Sequence, residues 1–403
     1  MSFMQTFKQS ETQWLNEKSR IEAWFNAEFL KTPPPPYCSV DLRQSGFKTA
    51  PVDTNLFPAG FNNIHKDSLP CAIKAAQKLA LLYVKNCQRI VIVPENHTRN
   101  RFYFESLSTL QSIFQKAGFD IRIGSLLEEI TQPVEIALPG EKKIILEPLL
   151  RKGDRVGLAN FDPCFILLNH DLSEGIPAIL KDISQKIEPP LELGWWSRKK
   201  SQHFAHYGKT ALNFAKDFSI DPWFITPYFD TAENIDFVSR DGEDDLIQKT
   251  AAILEKIQKK YQEYHIDKLP YVVIKADAGT YGMGILSVQH PEKIRELNRK
   301  ERSQMTSTKG NQKISRVIIQ EGVYTADTQG ETHASAEPVI YMIGDEVIGG
   351  FYRVHKDRKS DENLNAPGMH FEPFPSAKVN YVYSVISRLA LLAAAQELHG
   401  VQS

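Results

Sequence analysis

The stretch with the most evident chemistry runs from Tyr271 to Gly284, YVVIKADAGTYGMG. An apolar, strand-like run ends at Lys275, a glycine-rich turn follows, and a second strand-like run, ILSVQ, comes after it. Exposed backbone N–H groups beside a buried cation make a cradle for phosphate. Lys275 supplies the cation, and Gly279, Thr280, Gly282 and Gly284 supply the loop. This is not a Walker loop, because Gly-Lys-Ser/Thr is missing. It is not the dinucleotide fingerprint either, because no helical pattern opens after the last glycine. Strand–loop–strand suits a loop that folds down over a nucleotide. A plain hairpin with a glycine turn is the alternative.

Further candidates lie downstream. RVIIQEGV, residues 316–323, reads as a buried strand leading to Gln320, Glu321 and Val323. EPVIYMI and EVIGGFYRV follow, joined by Gly344-Asp345, a hairpin signal. A two-residue loop puts Glu337 opposite Tyr352, and a three-residue loop puts it opposite Arg353. Either way an acid and a cation meet at the far end of one hairpin, if only as a cross-strand salt bridge. The next run, HKDRKSDENLNAPGM, adds Asp361, Glu362, Asn363 and Asn365. Hard oxygen groups of this kind suit Mg²⁺, which takes few protein ligands plus phosphates.

Upstream, residues 37–63 carry Asp41, Arg43, Lys48, Asp53, Asn55, Asn62 and Asn63 among Phe, Pro and Gly. They show no sustained strand or helix period after Leu42, so a long structured loop is expected. Arg43 is the candidate to clamp a carboxylate bidentately. Asn96, His97 and Arg99 follow the strand-like RIVIV. Asn169, Asp171 and Ser173 follow FILLN. Open parallel sheets bind ligands past such strand ends. Trp195, Trp196, Arg198, Lys199, Lys200 and His203 form a basic and aromatic patch, either a solvated face or a contact for an acidic substrate or phosphate.

The elements that must position these residues are legible in outline. One amphipathic helix is expected over 8–30, helices near 70–85, 104–116 and 200–218, and a long one from about residue 241 with an acidic start. Strand, helix and strand over 89–125 predict a β–α–β unit and a parallel sheet. The chain has 403 residues, 42% of them apolar, and 48 basic against 49 acidic residues. That balance favours neither nucleic acid nor an anionic membrane as a partner. The four cysteines contain no C-x-x-C pair, which argues against a zinc site or disulfide framework and suits a reducing cytosol. The start lacks the apolar core of a signal peptide. No apolar run approaches the roughly 20 residues that span a bilayer. A cytoplasmic protein is expected.

A lysine strand with a glycine loop, a strand ending in Gln320-Glu321, and a hairpin ending in arginine with acid and asparagine beyond occur in that order. The order resembles an ATP-grasp domain. The resemblance implies that Lys275 and its loop hold the phosphates of ATP and that Gln320, Glu321 and Val323 meet the adenine edge. It implies that Arg353 meets the γ-phosphate. The terminal Glu-x-Asn of many ATP-grasp enzymes is absent after residue 370, so Mg²⁺ ligation would fall to Glu337, Glu362, Asn363 and Asn365. Longer runs, SVDLRQSGFKTAPVDTNLFPAGFNN, YVVIKADAGTYGMGI, GGFYRVH and DENLNAPGMHF, resemble the bacterial ATP-grasp-like glutamate–cysteine ligases over nearly the whole chain. That likeness implies γ-glutamylcysteine formation from the small molecules glutamate and cysteine, the first step of glutathione synthesis. Under that likeness Arg43, Asp53, Asn55 and Asn62 would hold glutamate, and the strand-end position separately makes Asn96 and Arg99 candidate polar contacts. The implied fold is α/β (α+β). A helix and substrate loop over 1–67 would precede a parallel-sheet, pre-ATP-grasp-like domain over 68–225 and an ATP-grasp-like domain over 226–403.

Overall fold

The computed structural model describes residues 6–83, 88–97, 99–279, 284–306 and 314–401. The helix expected over 8–30 is two helices, Phe7–Asn16 (α1) and Lys18–Lys31 (α2), because Glu17 leaves helical geometry at φ −96°, ψ 15°. Thr6 and Gln9 cap α1 reciprocally. Both helices bury their aromatic side, with Trp14 and Phe25 packed on Phe214.

The stretch expected as a loop forms two antiparallel strands, Tyr37–Gln44 (β1) and Thr49–Asn55 (β2), with a register shift after Asp41. In β1, Cys38, Val40 and Leu42 enter the hydrophobic core. Their neighbours Ser39, Asp41 and Arg43 face a cleft instead. Both faces of the strand are therefore covered, one by apolar and one by ionic partners.

The middle of the chain gives Leu69–Tyr83 (α3), Arg89–Pro94 (β3), Arg101–Lys116 (α4) and Asp120–Ser125 (β4), with β3 and β4 parallel as expected. Val134–Ala137 (β5), Lys143–Pro148 (β6), Leu150–Lys152 (β7), Arg155–Gly157 (β8), Phe165–Asn169 (β9) and Lys186–Glu188 (β10) follow. The sheet runs β10-β9-β3-β4-β6-β5, parallel except for the edge strand β5. Cys164 lies in a disulfide, against the expectation drawn from cysteine spacing, whereas Cys38 and Cys71 are free.

Lys200–Asp217 (α5), Phe229–Glu233 (β11) and Glu243–Glu263 (α6) come next. Glu243, Asp244 and Asp245 occupy the first turn of α6, where negative charge complements the helix dipole. Val272–Ala276 (β12), Leu286–Val288 (β13), Arg299–Gln304 (α7) and Arg316–Glu321 (β14) complete a four-stranded antiparallel sheet, β11-β14-β12-β13. The last strands are Thr328–Gln329 (β15), Ala334–Ile343 (β16), Glu346–His355 (β17) and His370–Phe374 (β18). They form a sheet in the order β18-β17-β16-β1-β2, with β15 also on β16. The N-terminal strands thus sit beside strands about 300 residues downstream, Tyr37 pairing with Ile343. Tyr381–Val401 (α8) is core over most of its length, with Val385, Ile386, Leu389 and Leu392 fully buried. Among the described residues no helix is long and apolar enough to cross a membrane.

Candidate active site

Residues from both large antiparallel sheets, together with the segments that follow β3 and β9 of the parallel sheet, line one cleft of about 880 Å³. The floor includes Lys275 on β12, Gln320 and Glu321 on β14, Glu337 on β16, Arg353 on β17, and Arg43 and Asp53 on β1 and β2. The expected proximity of Lys275 and Arg353 to one cavity is therefore realised. Asn55, Asn62, Gly279, Val323, Glu362, Asn363 and Asn365 also line it.

Lys275 is almost fully buried and donates from Nζ to the Val52 carbonyl at 2.6 Å. Burial pulls its pKa down to about 8, with Asp53 pulling the other way. Asp53 lies next to a second lysine, Lys200, whose Nζ is 3.2 Å from Oδ1 and 4.2 Å above the Trp195 ring. Burial works to raise the Asp53 pKa, but Lys200 and Lys275 outweigh it and hold the carboxyl well below the usual carboxylate range. The carboxylate is 41% exposed to the cleft, so it is a charge that a ligand meets.

The second cluster is built by a strand register. The β16–β17 turn contains two residues, Gly344 and Asp345, since Ile343 pairs with Glu346. Glu337 nevertheless pairs with Arg353, because a bulge between Tyr341 and Met342 adds one residue on β17. The bulge restores the register that a three-residue loop would have produced. Arg353 Nη1 donates to Glu337 Oε1 and, at 2.9 Å, to Asp41 Oδ2. Its Nε is buried with no protein partner. Burial works against the Arg353 cation, but Asp41 and Glu337 outweigh it and raise its pKa. Glu337 is lowered, the two arginines outweighing its burial, whereas Asp41 is raised because burial dominates.

The remaining expected residues divide. Glu321 turns its carboxylate away from a ligand role: Oε1 meets Lys48 Nζ at 2.8 Å and Trp223 Nε1 at 3.0 Å, and Oε2 accepts the Tyr228 amide at 2.9 Å. Gln320 Nε2 reaches the Pro51 carbonyl at 3.5 Å. Asn55 Oδ1 accepts the Phe57 amide. Glu362 accepts the Lys359 amide and meets Arg358, and Asn363 and Asn365 bond to each other. Gly284 faces a second cavity that shares Asn363 and Asn365. Thr280 and Gly282 lie outside the described residues. Asn96 and Arg99 are exposed and do not line the cleft; their neighbours Glu95, His97 and Asn100 do. The strand end was well placed, but a strand end points only some of its side chains inward.

Whole-chain comparison decides the family. The glutamate–cysteine ligase family profile matches residues 11–398. The chain belongs to the glutamate–cysteine ligase family. Membership makes it a ligase of glutathione biosynthesis, with ATP-dependent ligation as the family reaction. A crystal structure from Methylobacillus flagellatus KT, of a protein provisionally named gamma-glutamylcysteine synthetase, is 45% identical, with a TM-score of 0.90. The alignment covers 100% of this chain and 98% of that one. A glutathione synthetase-like effector (GSS30) from Globodera pallida aligns at 11% identity and TM-score 0.41, covering 90% and 78% of the two chains. D-alanyl-alanine synthetase A from Vibrio cholerae aligns at 9% identity and TM-score 0.27, covering 76% and 99%. Neither of these two likenesses carries weight here. No protein of curated function matches.

Within this ligase, sequence reading left three cleft features unassigned. Lys200 was seen only as part of a basic patch, and Tyr271 only as the start of a strand. The third is a group of Glu95, His170 and Asp171, whose ligand atoms all lie within 4.8 Å of one another. It is the one such cluster among the described residues, and it contains none of the expected metal ligands. His170 Nδ1 accepts the Leu172 amide, so the neutral ring carries its proton on Nε2. In that tautomer neither ring nitrogen offers a lone pair to a cation.

Proposed function

We propose that the cleft joins the γ-carboxylate of glutamate to the amine of cysteine by way of an acyl phosphate. The observation that supports this most is the placement of Lys275 and Arg353 on one cavity, in a chain of this family. A carboxylate oxygen of glutamate attacks the γ-phosphorus of ATP, the bond to the β-phosphate oxygen breaks, and ADP leaves. The cysteine nitrogen then attacks the acyl carbon, the carbon–oxygen bond to phosphate breaks, and the nitrogen loses a proton. Positioning and charge neutralisation carry such a phosphoryl step.

Each side chain has a role under this reading. Lys275, Lys200 and Arg353 meet phosphate oxygens where charge develops, acting as fixed donors in a water-poor site. Asp53 favours the protonated form of Lys275 and pairs with Lys200 until the nucleotide replaces it as their counter-ion. Gln320 and Val323 line the adenine side with Tyr271, while Glu321 holds that wall from behind through Lys48 and Trp223. Asn55 and Asn62, which line the same cleft, face the amino-acid substrates.

The cleft lining also bears on a metal. Apart from Glu321, which Lys48 holds from behind, it carries seven carboxylates, at positions 41, 53, 95, 171, 337, 361 and 362, against four cations, at 43, 200, 275 and 353. A bare nucleotide polyanion is repelled there, so a divalent counter-ion fits. Asp361, Glu362 and Asn363 would hold Mg²⁺, consistent with its use of few protein oxygens plus phosphates. When bound it would neutralise phosphate charge. Glu337, expected as a ligand, is better assigned to its arginines: it is 4% exposed and each of its oxygens accepts a guanidinium N–H, whereas the Glu362 side chain is 38% exposed. The substrates are small molecules, with no call for a nucleic acid or membrane partner. A free cysteine thiol is best supplied in a reducing cytoplasm.

The test is phosphate release with ATP, Mg²⁺ and glutamate, with and without cysteine. Release that rises with cysteine, with γ-glutamylcysteine as product, supports the reading. Release with another amine and none with cysteine would replace the acceptor.

A further inference from the structure

Arg43 meets more of the protein than a residue reserved for substrate would. Nε donates to Glu337 Oε2 at 2.9 Å. Nη1 reaches the Tyr271 hydroxyl at 3.2 Å and the carbonyls of Val323 and Ser360 at 3.4 and 3.3 Å. Nη2 donates to the Glu362 carbonyl at 2.5 Å. The carboxylate it was expected to clamp is thus the protein's own, and it is met through a single nitrogen.

These partners come from four parts of the chain: the start of β12, the turn after β14, strand β16 and the segment after β17. Tyr271 adds to the knot by donating to the Val323 carbonyl at 2.7 Å. The Ser360 carbonyl also accepts the Thr325 amide at 3.0 Å. From the other side, Ser287 and Gln289 reach Asp361 at 3.3 and 3.1 Å. Several acceptor oxygens therefore converge on one buried guanidinium, whose planar fork of five donors suits them as an ammonium does not. Take the cation away and those dipoles face one another without a donor.

We propose that Arg43 is a positioning residue. It fixes the Ser360–Glu362 segment and the Glu337–Arg353 pair over the cleft, and it does not bind glutamate. The assignment rests on the ligase reading above for its effect on rate, but not for its effect on the segment. The experiment compares Arg43→Met and Arg43→Lys with wild type in two readouts. In steady-state kinetics Arg43→Met lowers kcat about 10²-fold, the scale of a small misplacement of the reacting groups, and leaves the glutamate KM within about twofold. Arg43→Lys recovers part of that kcat. In amide hydrogen exchange, Lys359, Glu362 and Thr325 exchange at least about tenfold faster in Arg43→Met, and less so in Arg43→Lys. A glutamate KM raised about tenfold or more with kcat retained would show that Arg43 holds substrate and overturn the proposal. Unchanged exchange overturns it as well. Should Arg43→Met not fold, Arg43→Lys carries both readouts with smaller effects in the same directions. A wild-type enzyme without glutamate-dependent turnover defeats the ligase reading alone, because the exchange result stands apart from it.

Discussion

Lys275 is the residue whose chemistry is most exposed to test. Lys275→Met should lower kcat/KM for ATP by about 10²–10³-fold, the loss typical of one fixed donor at a developing charge, measured by phosphate release. Burial, opposed by Asp53, lowers its folded pKa to about 8, with Lys200 adding to the depression and Asp41 and Arg43 nearby. The free enzyme therefore loses the cation as pH rises past that value, and the ATP KM should climb there. The stability effect has the opposite sense. The unfolded lysine titrates near about 10.4, so between the two values the unfolded chain binds the extra proton and stability rises with pH. Denaturant titrations of wild type and Lys275→Met across this window should differ by that slope. Lys48 poses the mirror problem. It and Glu321 are each 1% exposed. Lys48→Met leaves a buried carboxylate without its cation and should cost about 3–5 kcal/mol in urea unfolding, eased by the donors that remain on Glu321.

At the scale of elements, the β16–β17 hairpin decides the arginine cluster. Deleting Phe351, on the strand beyond the partnerless Ile348, slides Glu337 opposite Val354 and turns Arg353 to the other face. Activity should be lost while far-ultraviolet circular dichroism keeps its strand signal. The residue after Ile348, Gly349, has φ +125°, and a Cβ there would lie 2.6 Å from Ser68 Oγ. Gly349→Ala should cost about 1–3 kcal/mol, seen in chemical denaturation. This hairpin also shows what a sequence reveals. Gly344-Asp345 marks the turn, and the meeting of Glu337 with an arginine was one of two registers that simple counting allowed. The bulge that chooses between them leaves no mark in the turn residues, because it depends on packing farther along the strands. Strand β1 shows the converse. Cys38, Val40 and Leu42 alternate with Ser39, Asp41 and Arg43, a period of two in plain view. It read as a loop because buried charges are uncommon, and only the distant Glu337 and Arg353 make them tolerable. The pairing of Lys200 with Asp53 is hidden for the same reason, since the two lie 147 residues apart, although the basic patch does mark Lys200 as a candidate phosphate contact.

For the whole molecule, the cleft is a joint product of both ends of the chain. Strand β16 has β17 on one side and β1 on the other, and α8 packs against α5, β1 and β2. The segment 226–403 produced alone loses β1 as the neighbour of β16 and the cover over α8. It should fail to show a cooperative thermal transition or to bind an ATP analogue in calorimetry. Adding residues 30–67 as a separate peptide should not restore both, because Arg198 and Lys200, also absent, complete the wall around Asp53.

The pairing of Tyr37 with Ile343 has a consequence for birth on the ribosome. Two strands emerge early and, apart from each other, have no sheet neighbour until nearly all of the chain has been translated. They must be kept from mispairing during that interval, and a nascent chain stopped short of residue 343 has a nucleotide wall with nothing facing it. Such long-range closure is slow. Refolding from denaturant should therefore be sluggish and sensitive to protein concentration, and a holdase chaperone added at the start should raise the yield.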